Sequence, residues 1–280
     1  MRLALVTDST SDLSQAQAEA LNIAIVPLYV HFRGTTYRDW IEITPRQIFE
    51  GMRMGAEPPT TSQPSPEDFA QVYRRLLAEH DHLLSIHLSS KLSGTVHSAR
   101  LAAQEFPGRV TVIDSQAASA GVGLMVMRAR ELAEEGRDLR SILAEIERLK
   151  RDHLVRFTVG SLEFLQRTGR IGRAQALVGG LLGIKPILTL NQGEVDVAGR
   201  MRGEQRAEEE LLEAFRKWAQ GRHRIRLHLL YSADRHAPDR LEARLRQLGL
   251  PLEAIESSEI GAVIATHAGP GTYGYYAYSC

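Results

Sequence analysis

Leu83-Leu84-Ser85-Ile86-His87-Leu88-Ser89-Ser90-Lys91-Leu92-Ser93-Gly94-Thr95-Val96-His97-Ser98-Ala99 is the stretch whose reading decides the fold. It begins as a short apolar run, passes into small hydroxyl residues and continues as a helix-compatible sequence to Phe106. A parallel strand ending in such a turn delivers backbone N–H groups and hydroxyls at the carboxyl end of a sheet, where open α/β folds bind ligands. A helix N-terminus beside it favours an anion, because its first N–H groups lack intrahelical partners. Ser93-Gly94-Thr95 therefore reads either as a seat for a carboxylate or phosphate or as a plain helix cap.

The same grammar appears upstream. Leu3 to Thr7 has the composition of a buried strand, and Asp8-Ser9-Thr10-Ser11-Asp12 follows as a polar turn before a helix with Leu13, Ala16, Ala20 and Leu21 on one side. Asp8 is open to two readings there, a catalytic acid or a carboxylate that ties down loop amides. Ile23 to Val30 reads as a second strand, and His31 to Ile43 as an excursion. In Glu57-Pro58-Pro59-Thr60-Thr61-Ser62-Gln63-Pro64-Ser65, prolines on both sides stiffen a loop that carries the Thr61 and Ser62 hydroxyls. Ser65 with Pro66 opens a helix whose Phe69, Val72, Tyr73, Leu76 and Leu77 share one face.

Downstream, Val110 to Asp114 is a further strand ending in Asp114-Ser115, and helices are expected over Ala118–Glu134 and Leu139–Arg151. Alternating strands and helices argue an α/β domain, a mainly parallel sheet covered by helices. A boundary falls between Asp152 and Gly160, giving domains 1–157 and 158–280. The second half differs in texture. Leu162 to Gly172 reads as a short apolar helix broken by a basic, glycine-bearing turn, and Leu181 to Leu190 leads into the hairpin turn Asn191-Gln192-Gly193-Glu194. A helix over Glu204–Trp218, a strand over Ile225–Tyr231, a helix over Asp239–Leu248 and strands at Leu252–Ile255 and Ala262–Thr266 complete an α+β domain. His267-Ala268-Gly269-Pro270-Gly271-Thr272-Tyr273-Gly274 lacks the Gly-Lys-Ser/Thr ending of a phosphate loop and reads as a constrained turn that places His267.

Composition sets limits. The 280 residues are 43% hydrophobic and 24% charged, with 34 basic and 34 acidic side chains. A dedicated nucleic-acid binder should carry a basic excess, which is missing here. No apolar run approaches the length of a membrane span. The N-terminus enters a strand without a signal-type hydrophobic region, and the single cysteine, Cys280, allows neither an internal disulfide nor a cysteine zinc site. A cytoplasmic protein without cofactor or metal is the expectation.

Taken together, Thr7-Asp8-Ser9-Thr10 with Asp12-Leu13, Thr61-Ser62-Gln63-Pro64, Leu88-Ser89-Ser90 with Leu92-Ser93-Gly94-Thr95, Asp114-Ser115, Phe164-Leu165 with Gly169-Arg170-Ile171, Lys185-Pro186-Ile187 and His267-Ala268-Gly269-Pro270-Gly271 occur in an order that resembles the DegV family over essentially the whole length. That bacterial family includes the fatty-acid-binding subunits of fatty acid kinase. The resemblance implies a non-catalytic carrier, in phospholipid metabolism, that holds one long-chain fatty acid such as palmitate, stearate or oleate. Its carboxylate would lie at the domain junction, on loops of the first domain, and its acyl chain would be enclosed by the second. Thr61, Ser93 and His267 match the family's carboxylate-binding positions. Arg170 and Arg202 match basic positions associated with the kinase subunit or the acyl phosphate, and Arg167, Arg173 and Arg200 lie close by. Two other readings stand beside this one. A serine-dependent acyl hydrolase or acyltransferase would use Ser93, His267 and Asp8 or Asp114, although Gly-x-Ser-x-Gly is absent around Ser93. A phosphotransferase would need a phosphate loop or an acidic metal cluster that the sequence lacks.

Overall fold

The computed structural model describes residues 2–179 and 183–279; Leu181, Leu182 and Cys280 lie outside the described residues. The chain divides into two units. The first comprises the residues up to Arg151 with Gly261–Val263, the second Asp152–Ile260 with the residues from Ile264 onward.

In the first unit, β1 (Leu3–Asp8), β2 (Ile23–Val26), β6 (His82–His87) and β7 (Val110–Asp114) form a parallel sheet in the order β2-β1-β6-β7. The nearly unbroken apolar run of β1 follows from that central position, since a parallel strand covered on both faces has no solvent side. Alternate residues serve the two faces. Ala4, Val6 and Leu83 join one core with Phe69, Ala70, Tyr73 and Leu77 of α3 (Pro66–Leu77) and Ala99 and Ala102 of α4 (Thr95–Ala103). α5 (Ala120–Glu134) packs on β1 and β6, and α6 (Leu139–Arg151) packs on α5. Phe69 and Tyr73 are fully buried, and each such side chain contributes about 1.5–3 kcal/mol by leaving water. α3 starts where the sequence places it. Ser65 accepts from the Asp68 N–H, Asp68 accepts from the Ser65 N–H at 2.7 Å, and Pro66 occupies the first turn. α1 (Gln15–Ala20) and α2 (Pro45–Arg53) begin with similar reciprocal caps at Ser14 and Thr44.

The strand expected over Ile23–Val30 is two strands. Pro27 has no N–H to give to the ladder, and the next amide, Leu28, donates to Ser9 Oγ at 3.0 Å instead. Beyond this break, β3 (Tyr29–Phe32) leaves the parallel sheet and pairs antiparallel with β4 (Thr35–Arg38) and β5 (Thr60–Ser62). Thr61 and Ser62 therefore sit on a short edge strand, not a loop.

The second unit is a six-stranded mixed sheet in the order β10-β9-β8-β13-β11-β12. Its strands are β8 (His153–Thr158), β9 (Ile184–Asn191), β10 (Glu194–Arg202), β11 (Ile225–Tyr231), β12 (Leu252–Glu259) and β13 (Tyr273–Ser279). Only β11 and β12 run parallel within it. The two-residue turn between β9 and β10 is as expected, with positive φ at both Gln192 and Gly193. α8 (Glu204–Trp218) and α9 (His236–Gln247) cover one face, where Leu211, Phe215, Leu241 and Leu245 meet Leu227, Leu229 and Tyr275. α7 (Glu163–Arg167) and a 3-10 turn at Gly172–Leu177 lie between β8 and β9 in the chain.

The expected strand at Ala262–Thr266 is a helix, α10 (Ala262–Ala268), and the buried strand after it, β13, was not anticipated. β13 pairs with both β8 and β11. At Gly274 a Cβ would lie 2.3 Å from the Arg156 carbonyl oxygen of β8, so only glycine fits between these neighbours.

Candidate functional site

Three turns of the first unit leave the carboxyl ends of β1, β6 and β7, and their aspartates are occupied. Asp8 is fully buried and accepts from the N–H of Thr10 at 3.0 Å, the Thr10 hydroxyl and the N–H of Leu88 at 3.1 Å. Its Oδ2 also lies 3.0 Å from His87 Nδ1; His87 Nε2 is 2.6 Å from Ser85 Oγ, which is 2.8 Å from Tyr73 OH. All four side chains are buried. Asp8 thus ties β1 to β6, and its imidazole partner is His87. Asp114 accepts from the Ser90 hydroxyl and from the amides of Ser90 and Gln116, at 3.3 and 2.9 Å. Of the two readings of Asp8, the geometry matches the one that secures loop amides.

The hydroxyl-bearing motifs converge within this unit. Thr61 pairs with Val30 in the β3–β5 ladder, and the neighbouring Ser62 Oγ lies 2.9 Å from His31 Nε2, which braces the strand from behind. Ser93 Oγ stands 2.9 Å from Thr95 Oγ1 and accepts from the Thr95 N–H at 3.3 Å. The cap of α4 is Gly94, which offers no side-chain bond of its own. Gln63 links the two motifs. Its amide lies directly over Gly94, where a Cβ would meet Oε1 at 2.0 Å, and Nε2 donates to Ser98 Oγ at 3.0 Å. The result is a cluster of neutral hydroxyls at the start of a nine-residue helix. Helix polarity there favours a negative group.

The same unit also holds two buried carboxylates that the sequence reading did not single out as a pair. Asp12 accepts from the Gly261 N–H at 2.8 Å, Trp40 Nε1 at 3.3 Å and the Ser119 hydroxyl. Asp39 accepts from Ser9 Oγ at 2.8 Å and the Val263 N–H at 3.2 Å. Burial, with a smaller contribution from neighbouring carboxylates, pushes both up to about 7. Their amide partners are more than 200 residues away in sequence, so no local signal points to them.

In the second unit, a cavity of about 820 Å³ is lined by Val159, Leu162, Leu177, Val178, Ile184 and Pro186, with Arg200 among its polar residues. Its volume falls within the range of small-molecule pockets, and its walls are mixed polar and apolar. Arg202 is exposed at the end of β10, opposite Ile184, and does not line it. His267 stands in the last turn of α10 with Nδ1 enclosed. Burial, then the positive charges of Arg170 and Arg167, push it down to about 4, so its ring is uncharged at neutral pH. Arg170 donates to the Thr168 carbonyl, and Arg167 lies over the Phe164 ring at 5.0 Å. The glycine turn after His267 is tightly fitted. Gly269 has φ +78° and a Cβ there would press on Phe164 at 2.5 Å, while one at Gly160 would reach the Pro270 carbonyl oxygen at 2.4 Å. His267, Arg167 and Arg170 thus form one electrostatic group. Among the described residues no His, Cys, Asp or Glu cluster could hold a metal ion, and no helix is long and apolar enough to cross a membrane.

The family profile described as "Uncharacterised protein, DegV family" matches residues 2–279. A DegV domain-containing protein of Deinococcus radiodurans is 46% identical over 274 residues, covering 98% of this chain and 97% of its own. Among solved structures, a DegV family protein from Thermus thermophilus, described for its fatty acid binding, is 62% identical with a TM-score of 0.98, and each chain is covered completely. A stearic acid-binding protein from Eubacterium ventriosum is 27% identical with a TM-score of 0.88, covering 99% of this chain and 98% of its own. With a match that runs through both units, the chain belongs to the DegV family.

Proposed function

We propose that the protein is a cytoplasmic carrier that binds one long-chain fatty acid and presents it to a separate kinase for phosphorylation to the acyl phosphate. Thr61, Ser93 and His267 hold the carboxylate, and the acyl chain enters the cavity of the second unit. Arg170 and Arg202 meet the kinase or the acyl phosphate. The observation that carries this reading is the seat formed at Ser93-Gly94-Thr95, a hydroxyl pair on a helix N-terminus in a chain whose relatives bind fatty acids. Such a seat can hold a carboxylate without a paired buried cation, because hydrogen bonds to an ionised acceptor are strong. An uncharged His267 would add a donor without an ion pair. The tail supplies most of the affinity. At about 0.8 kcal/mol per buried CH₂, sixteen or so carbons give on the order of 10 kcal/mol before association costs. The polar end then fixes orientation.

A hydrolase would also need Ser93 activated by a base, and the geometry lends this little support. Ser93 Oγ pairs with Thr95, and Asp8 pairs with His87. Titration with palmitate, together with assays of p-nitrophenyl palmitate and ATP, tests the carrier reading. Stoichiometric binding with no turnover above background is expected; a nitrophenol burst lost in Ser93→Ala would establish an acyl-enzyme instead. In a coupled assay with the kinase, Arg170→Ala should bind palmitate normally, and the palmitate it carries should be phosphorylated about tenfold more slowly. Loss of palmitate binding would place Arg170 in the pocket.

A further inference from the structure

We propose that Gln63 is a positioning residue of the carboxylate site, setting the Thr61 strand relative to the Ser93 turn. This rests on the reading of Thr61 and Ser93 given above.

The argument starts at Gly94. Its φ is −76°, which any residue can adopt, so the backbone does not demand glycine. Space does. The volume a side chain would take is filled by the end of Gln63, with Oε1 2.0 Å, and Cδ and Nε2 each 2.7 Å, from the position of an added Cβ. The same amide donates from Nε2 to Ser98 Oγ at 3.0 Å, one turn further along α4. Residues four apart share a helix face, so one side chain covers two successive turns. Ser98 is 2% exposed, which shields the bond from competing water.

At its other end Gln63 belongs to a segment with little freedom. Thr61 is paired with Val30 in the ladder, the Ser62 hydroxyl is hydrogen-bonded to the His31 ring, and Pro64 follows with its φ fixed. Gln63 is therefore a strut between a braced edge strand and the helix that begins one residue after Gly94. Ser93 precedes that glycine. Hydroxyl-to-carboxylate bonds are short and weaken steeply when displaced or bent. A strut that fixes two hydroxyl-bearing segments therefore acts on head-group recognition and leaves the buried tail unaffected.

This separation sets the test. Palmitate and hexadecanol share a tail and differ in the group that Thr61 and Ser93 would bind. Gln63→Ala should weaken palmitate binding about 5–20-fold and leave hexadecanol within twofold of wild type. Gly94→Ala, whose methyl displaces the flexible Gln63 amide, should reproduce this selective loss. The double variant Gln63→Ala/Gly94→Ala should be no worse than either single, because all three remove one interaction. Thermal melts accompany each titration, and if Gly94→Ala does not fold, Gln63→Ala decides alone. Equal losses for palmitate and hexadecanol, additive losses in the double variant, or wild-type palmitate binding by Gln63→Ala would overturn the role of Gln63. A wild-type protein that binds neither ligand would overturn the fatty-acid reading as well, and so the two failures are distinct.

Discussion

At the scale of single residues, a carboxylate held by several hydroxyls loses part of its affinity, and not all of it, when one hydroxyl is removed. Ser93→Ala deletes a charge-assisted bond of about 1.5–3 kcal/mol, so fatty-acid binding should weaken about 10–100-fold and persist through the tail. The fold should lose only about 1 kcal/mol, since the Ser93 hydroxyl otherwise serves Thr95 alone among the bonds described. Calorimetric titration beside a thermal melt measures both; an affinity equal to wild type would mean that the carboxylate lies elsewhere. Ser93 was singled out in the sequence because small hydroxyl residues between an apolar strand and a helix read either as an anion seat or as a helix cap. Gln63 was quoted only as part of a motif, since nothing local tells that its amide fills the place of a side chain at Gly94.

At the scale of elements, the beginning of α10 shows where local reading fails. Ala262-Val263-Ile264-Ala265-Thr266 is rich in β-branched residues and reads as a strand. The segment is helical, and the amides at its start are bound by Asp12 and Asp39, more than 200 residues earlier in the chain. Long-range acceptors decide what propensity alone misjudges. Strand β13 was hidden for a related reason. Its glycine and tyrosines fit a closely packed position between β8 and β11, whereas in isolation they extend the glycine-rich turn before it. By contrast α3 carries its own cap, α8 its apolar periodicity and the Asn191–Glu194 turn its turn residues, and all three were legible.

The two aspartates also make stability depend on pH. Their folded values, about 7, lie above the ordinary 3.8, so between these limits the folded state holds protons that the unfolded chain has released. The stabilisation is fully present below about 3.8 and is lost as pH rises through about 7. The slope is at most about 1.4 kcal/mol per pH unit for each carboxylate. Asp12→Asn and Asp39→Asn keep an oxygen acceptor for the amides and should flatten the decline of denaturation midpoints between about pH 4 and 7, the window set by the ordinary and the folded values. Profiles parallel to wild type would show that neither group titrates there.

At the scale of the whole molecule, the α/β first half and α+β second half followed from alternation of strands and helices and from the change in texture after α6. The cavity of the second unit was not legible, because Val159, Leu162, Ile184 and Pro186 read as ordinary core residues. A pocket wall and a packed interior use the same side chain types, and only the fold tells them apart. The ligand is therefore the quantity to measure. Purified protein should be extracted with organic solvent, and the extract analysed by mass spectrometry before and after incubation with palmitate or oleate. Roughly one acyl chain of about 14–18 carbons per polypeptide is predicted, long enough for the tail to dominate binding. No acyl species in the extract, together with no uptake of either added acid, would contradict the account at its centre.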